Sequence, residues 1–168
     1  MGFVYDDGGR AADGFKGRAG DCVCRSIAIA TGKPYQEVYD DLNRLAQSER
    51  TGKRKKRKSS ARDGVYTRTT RRYLASFGWE WVPTMRIGSG CKVHLDADEL
   101  PPGRLIVKVS RHVTAMINGV IHDTHDPRRD MHCIEPDDGR ELAPGEWRNE
   151  NGICSIRRRC VYGFYRKV

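Results

Sequence analysis

The dipeptide Asn118-Gly119 is the feature that most restricts how this chain can fold. It joins two short segments, residues 111–117 and 120–124, in which apolar residues alternate with polar ones. Asn-Gly between such segments is typical of a two-residue turn, because both turn positions need a left-handed backbone that Asn and Gly tolerate. The sequence therefore predicts a β-hairpin whose register is fixed, with Ile117 opposite Val120.

The segments around the hairpin predict an α+β fold. Apolar residues at helical spacing predict three helices, which begin after Asp21, Pro34 and Thr67 and end at Gly32, residue 47 and Gly78. The predicted strands cover residues 79–82, 105–109, 111–117 and 120–124, and the tail at 155–165 adds one or two more. Residues 1–20 are predicted to be extended or loop-like. The pattern indicates one domain over residues 1–168, with N-terminal helices packed on a C-terminal antiparallel sheet.

Composition indicates a polar globular protein. No apolar run approaches the ~20 residues that a membrane span needs, and residues 1–18 lack the apolar centre of a secretory signal. The sequence therefore predicts a cytoplasmic protein with no membrane partner, in which the six cysteines are reduced thiols. No CxxC pair occurs, which disfavours a zinc ribbon or finger, and only Cys91-x2-His94 and His132-Cys133 could contribute to a scattered metal site. The prediction is that the protein needs neither a metal ion nor an organic cofactor.

The formal net charge of +9 lies largely in two basic segments. One is residues 157–167. The other, called the basic segment below, consists of Lys53, Arg54, Lys55, Lys56, Arg57 and Lys58. Six consecutive cations repel one another, so residues 50–62 are predicted to form a mobile loop. Such a block indicates either an acidic partner, nucleic acid or an acidic protein face, or a solvated loop without a partner.

Three residues have the chemistry of a cysteine hydrolase. Cys22 follows the predicted N-cap Asp21, so the free N–H groups and the dipole of the helix would stabilise its thiolate and an acyl oxyanion. His112 opens a late strand, and Asp123 follows on the next strand. Cys22, His112 and Asp123 would then supply a nucleophile, a base and an acid that orients the base. A buried thiol, an ordinary histidine and a turn aspartate are the structural alternatives. Cys24, about 200° around the helix, is a weaker candidate nucleophile.

The hairpin register separates two candidate acids. It places Asp123 opposite Thr114, on the face of His112 and one diagonal step away, which is ~7–8 Å and within reach. Asp126 would lie on the other face unless Pro127 bends the chain first. The sequence therefore favours Asp123 and keeps Asp126 as the alternative.

Three patches together resemble the papain-like cysteine peptidase superfamily. They are residues 20–26 (GDCVCRS), 111–115 (RHVTA) and 122–127 (HDTHDP). The resemblance spans residues 15–127 and is closest to small bacterial enzymes of the bacteriocin-processing type and to short proteins of bacteriophages and plasmids. It implies a papain-like fold and a protein or peptide substrate, met in the host cytoplasm if the chain is phage-encoded.

The resemblance also implies a role for each matching residue. Cys22 is the nucleophile, His112 the base, and Asp123 or Asp126 the orienting acid. Family members usually carry a Gln about six residues before the nucleophile, where its amide completes the oxyanion hole. This chain has Lys16 there, which offers charge but a flexible stem. Two functions follow: a thiol-dependent hydrolase of amide or isopeptide bonds, or a catalytically inert papain-like domain that binds nucleic acid or protein.

Overall fold

The computed structural model describes residues 1–53, 55–128, 131–134, 137–143, 146–156 and 158–168. Contacts divide the chain into two compact units, where the sequence predicted one domain. The first unit combines Met1–Pro127 with Cys160–Val168, and the second is Arg128–Arg159. The first contains three helices and a six-stranded sheet, and the second a three-stranded sheet. The chain is therefore of mixed α+β class, as the sequence predicted.

The elements follow one another along the chain as β1 (Gly2–Tyr5), α1 (Cys22–Thr31), α2 (Tyr35–Ala46), α3 (Thr67–Ala75), β2 (Trp79–Pro83), β3 (Arg104–Val109), β4 (His112–Ile117), β5 (Val120–Asp123), β6 (Met131–Ile134), β7 (Glu146–Asn149), β8 (Gly152–Ile156) and β9 (Val161–Lys167). The three predicted helices are confirmed within a few residues. Thr67 is the first helical residue of α3 and not its N-cap, which is Tyr66. In the described part of the chain, no helix has the length and apolar character needed to cross a membrane.

The predicted hairpin is the centre of the large sheet, whose strand order is β1-β5-β4-β3-β9-β2. Ile117 pairs with Val120 as predicted, and the turn residues Asn118 and Gly119 have φ values of 48° and 80°. The predicted all-antiparallel sheet is wrong at one edge, because β1 pairs parallel with β5. Residues 2–5 are mostly exposed. They carry no strand pattern of their own, and their strand conformation depends on the backbone edge of β5.

The helices cover one face of this sheet and fix the start of α1. Ile27 and Val38 are fully buried in a cluster with Ile106 of β3. The Ser26 hydroxyl donates to the Val113 carbonyl oxygen at 3.0 Å, which ties α1 to β4. Gly32, with φ 73°, ends α1 by donating its N–H to a carbonyl of the last turn. The first turn of α1 is thereby held beside the first residues of β4.

The prediction of reduced thiols is wrong for four of the six cysteines. Cys91 is bonded to Cys160 within the first unit, and Cys133 to Cys154 within the second. Spacing along the chain could not show this, because the bonded residues are 69 and 21 positions apart. Disulfides persist mainly in oxidising compartments, so the cytoplasmic location stays a prediction.

A close contact at Gly163 gives a test of the sheet. A Cβ atom there would lie 2.3 Å from a ring carbon of Trp81 and 2.6 Å from the carbonyl oxygen of Val82. The ring can shift but the backbone oxygen cannot, so Gly163→Ala should lower the free energy of unfolding by about 1–3 kcal/mol. Urea denaturation measures this. Gly52→Ala is the matched control, since its Cβ would meet nothing within 4 Å. Equal midpoints for the two variants would contradict the β2–β9 packing.

Candidate active site

The predicted nucleophile, base and acid come together at one end of the large sheet. Cys22 is the first residue of α1, His112 the first of β4 and Asp123 the last of β5. His112 acts on the Cys22 thiol and lowers its pKa, and His112 Nε2 lies 2.7 Å from Asp123 Oδ2. Because Nε2 faces the carboxylate, Nδ1 is the ring nitrogen left for the thiol. The three side chains form a continuous Cys–His–Asp chain.

Strand register explains why Asp123 is the partner of His112. The β4–β5 pairing keeps both residues on one face, as the Asn118-Gly119 turn predicted. The backbone N–H of Thr124 donates to Asp123 Oδ1 at 2.7 Å and holds the carboxylate in place. The other candidate acid, Asp126, is exposed beyond the end of β5.

The charges of this chain reinforce one another. Burial would raise the pKa of Cys22, but the hydrogen bond and charge of His112 hold that pKa below its ordinary value. Burial would lower the pKa of His112, but Asp123 and Cys22 raise it to about 9. Burial would also raise the pKa of Asp123, yet its bond with His112 lowers it. Both shifts favour a thiolate on Cys22 beside an imidazolium on His112.

A buried carboxylate supports the start of α1. Asp21 occupies the N-cap position, as predicted, but its side chain makes no capping hydrogen bond. It accepts a hydrogen bond from the Tyr35 hydroxyl at 2.6 Å, and it pairs with Arg25 and with Arg10 Nε at 3.0 Å. Since the carboxylate is used elsewhere, it does not compete for the N–H groups of the first turn. Those groups can face a thiolate or an oxyanion.

Sequence reasoning missed Arg25, which connects this carboxylate to the Cys–His–Asp chain. Arg25 Nη2 lies 3.6 Å from Asp123 Oδ1, while Nη1 is bonded to Asp21. The Arg25 side chain is only 11% exposed, so its charge acts in a poorly solvated environment. The four-residue spacing from Asp21 is a signal in the sequence for the first contact. Nothing local indicates the second, because Asp123 is on a distant strand.

A cavity of about 600 Å³ opens beside Cys22 and His112. Two chain segments form a tight wall on one side, since a Cβ on Gly20 would lie 3.2 Å from the Asp63 carbonyl oxygen. The size suits part of a peptide rather than a whole folded domain. The lining residues, besides Cys22 and His112, are Ala19, Gly20, Val23, Arg25, Asp63, Gly64, Val65, Lys108, Val109, Arg111, Val113, Thr124, His125 and Tyr162.

Lys16 and Cys24 are not brought to this cavity. Lys16 is exposed, and its backbone carbonyl accepts a hydrogen bond from Arg10 at 3.2 Å. Lys16 is therefore not placed to act in this cavity. Cys24 is fully buried, and its burial, together with the Asp21 charge, raises the pKa of its thiol to about 12. Of the two free cysteines, only Cys22 is suited to act as a nucleophile.

His125 is a second residue that sequence reasoning did not assign to the site. Its ring lies 4.7 Å from the ring of His112, centroid to centroid. One ligand atom from each of His112, Asp123 and His125 lies within 4.8 Å of the others. Two imidazoles and a carboxylate are a ligand set that Zn²⁺ accepts, so the same atoms could hold a divalent cation. The absence of a metal ion stays a prediction.

Glu49 contacts the basic segment at Lys55 and the chain just beyond the segment at Ser59. Lys55 Nζ lies 3.0 Å from a Glu49 carboxylate oxygen and 4.0 Å from the centroid of the Tyr66 ring. The Ser59 N–H and hydroxyl also donate to Glu49, at 2.7 and 2.5 Å. Arg54 lies outside the described residues, and the mobility of residues 50–62 stays a prediction. The exposed cations of the segment are Lys53, Lys56, Arg57 and Lys58.

Comparisons of the chain with protein-family models, with curated proteins and with solved structures found no match. The resemblance to papain-like peptidases therefore stays a prediction. What the site can do follows from its own geometry and electrostatics.

The lowered pKa of Cys22 predicts how its thiol reacts. Iodoacetamide should alkylate Cys22 faster than an ordinary thiol at pH 6, because its lowered pKa leaves more thiolate at a pH where ordinary thiols are almost fully protonated. The Cys24→Ala variant isolates this reaction, and Cys22→Ala should leave Cys24 unmodified. His112→Ala removes the main cause of the lowered pKa and should slow alkylation at pH 6 by about tenfold or more. A rate that rises tenfold per pH unit from 6 to 8, as for a free thiol, would contradict the ion pair.

Proposed function

We propose that this protein is a thiol-dependent hydrolase of amide or isopeptide bonds, with Cys22 as nucleophile, His112 as base and Asp123 as orienting acid. The observation that carries the proposal is the His112–Asp123 hydrogen bond at one end of a cavity that Cys22 and His112 both line, with His112 lowering the pKa of the Cys22 thiol. Nucleophile, base and orienting acid are the three groups that covalent acyl transfer by cysteine requires.

The reaction follows from the protonation states of the site. The Cys22 thiolate attacks the substrate carbonyl carbon, and the carbonyl oxygen becomes an oxyanion beside the first N–H groups of α1. The His112 imidazolium then gives its proton to the leaving nitrogen as the C–N bond breaks, which leaves a thioester and a neutral imidazole. His112 next removes a proton from water, whose oxygen attacks the thioester. The C–S bond breaks, and the acid product leaves with the thiolate restored.

Asp123 acts through His112 and not on the substrate. Its hydrogen bond to Nε2 turns Nδ1 towards Cys22 and stabilises the imidazolium. The carboxylate is only 3% exposed, so water does not weaken this interaction. A deamidase or an acyl transferase would use the same three residues in the same order.

A papain-like fold is part of this proposal. The nucleophile begins a helix that packs on a sheet, and the base and acid come from adjacent strands of that sheet. This is the arrangement that the resemblance of residues 20–26, 111–115 and 122–127 implies. The expected substrate is a protein or peptide, and the host cytoplasm is the expected location if the chain is phage-encoded.

Substituting the nucleophile tests the proposal directly. Cys22→Ala should abolish hydrolysis of a peptide and isopeptide library, a loss of several orders of magnitude, because no other group can form the acyl intermediate. Cys24→Ala is the matched control and should retain most of the activity. Circular dichroism should show both variants folded, since each removes a single sulfur atom. Full activity in Cys22→Ala would remove Cys22 from the mechanism.

The alternative function is an inert papain-like domain that binds nucleic acid or an acidic protein. The observation in its favour is the basic segment, whose cations Lys53, Lys56, Arg57 and Lys58 are exposed. The exposed Lys16, at a position where the family usually has a Gln, also fits this alternative. Binding and catalysis are separable, because the basic segment and the Cys22 cavity share no residue.

Charge removal tests the alternative. Replacing the four exposed cations of the basic segment by Gln should weaken binding to a duplex oligonucleotide and flatten the dependence of log K on log salt by up to about four. A control variant with the same change of charge replaces Arg68, Arg86, Lys92 and Lys167, which are also exposed. Fluorescence anisotropy at several salt concentrations measures both. Binding that does not depend on salt, or no binding, would leave a solvated segment.

A further inference from the structure

We propose that the cavity beside Cys22 binds a carboxylate of the substrate through Arg111 and Lys108. The substrates would then be peptides that carry a carboxylate next to the bond that is cleaved, either on an acidic side chain or at the chain end. This inference rests on the proposed function and adds the class of substrate to it.

The charges that line the cavity are unequal. Three basic side chains, Arg25, Lys108 and Arg111, face one carboxylate, that of Asp63. Arg25 is already paired with the buried Asp21, so its charge is compensated inside the protein. Asp63 is exposed and in contact with water, which weakens its effect on the cavity. Lys108 and Arg111 therefore leave the cavity with a positive charge that an anion could balance.

Arg111 has no other role in the described residues. It is exposed, and it makes no hydrogen bond or ion pair with any residue that the structure describes. Its φ of 58° lies in the left-handed region, which is unfavourable for a long side chain. Among the residues that the structure describes, the other non-glycine residue of this kind is Asn118, a type that tolerates such a backbone. The turn after β3 does not itself require arginine, and strained residues of this kind cluster at ligand sites.

Lys108 is fixed in position while its charge stays available. Its Nζ donates to the Thr67 hydroxyl oxygen at 2.7 Å. A hydroxyl orients the ammonium group but does not neutralise it. Lys108 is the second-last residue of β3 and Arg111 immediately precedes His112. Both cations therefore lie at the end of the β3–β4 hairpin that carries the base.

A carboxylate is the ligand that this pair fits. The planar guanidinium of Arg111 can donate two parallel hydrogen bonds to one carboxylate, and the Lys108 ammonium adds a point charge. Because Arg111 lines the same cavity as Cys22 and His112, the carboxylate would lie within one or two residues of the reacting carbonyl. Binding it there would place the scissile bond against the Cys22 sulfur.

Matched electrophiles test this without a known substrate. Two pairs of acyloxymethyl ketones are used: acetyl-Glu with acetyl-Gln, and acetyl-Glu-Ala with acetyl-Gln-Ala. The two members of each pair differ mainly in charge, and both carry the group that reacts with Cys22. A third pair is an epoxysuccinyl peptide as its free acid and as its amide. The carboxylate of the free acid lies where the end of a peptide chain would lie. We expect the acidic member of at least one pair to label Cys22 about three- to tenfold faster. The pair that shows the preference identifies whether the carboxylate belongs to a side chain or to a chain end.

Arg111→Asn is the decisive variant, because Asn removes the charge and suits φ 58° better than Arg. It should unfold at the same temperature as the parent or higher, and within each probe pair the ratio of the acidic to the neutral labelling rate should fall to about one. Arg86→Asn, an exposed arginine that does not line the cavity, is the matched control and should keep the preference.

The failures are distinguishable. Equal labelling by every acidic and neutral pair would overturn the carboxylate site and leave the hydrolase proposal standing. A preference that survives in Arg111→Asn, or that is lost equally in Arg86→Asn, would also overturn it, since net charge would then be the cause. If no probe labels native Cys22 faster than the unfolded chain, both proposals fail together.

Discussion

The active-site end of this protein depends on one buried carboxylate, that of Asp21. A charge removed from water is costly unless it is paired and hydrogen-bonded, and the Asp21 side chain is fully buried. Its partners come from three parts of the chain: Arg10 from the N-terminal segment, Arg25 from α1 and Tyr35 from α2. Each of them satisfies part of the buried carboxylate, so the loss of any one would leave it less well compensated. Folding that satisfies Asp21 therefore also fixes the first turn of α1.

The Cys–His–Asp chain is connected to the Asp21 carboxylate through a series of charged side chains. Arg25 joins Asp21 to the carboxylate of Asp123, Asp123 raises the pKa of His112, and His112 lowers that of Cys22. The thiolate–imidazolium pair exists between the lowered pKa of Cys22 and a pH of about 9, where His112 loses its proton. Because the folded pKa of His112 lies above its unfolded value, the protonated imidazole beside Asp123 contributes stability that is present in full below the unfolded value of about 6.5. The contribution is lost as the pH rises through about 9.

Short sequence patterns predicted those parts of the site that depend on residues close together in the chain. The Asn118-Gly119 turn set the register that puts Asp123 beside His112, and Gly32 ended α1 where expected. The missed features all depend on partners far along the chain. β1 needs the edge of β5, the disulfide of Cys91 needs Cys160, and Arg25 reaches Asp123 only after the sheet has formed. No pattern within a short window of sequence contains that information.

The central claim is that Cys22 is a thiolate because His112 is an imidazolium. The most direct measurement is the ultraviolet absorbance of the thiolate as a function of pH, taken as the difference between the parent protein and Cys22→Ala. The difference should titrate below the ordinary thiol range of about 8.5, and His112→Ala should move it upwards. A Cys22 titration at or above the ordinary range, or one that His112→Ala leaves unchanged, would contradict the ion pair and the mechanism built on it.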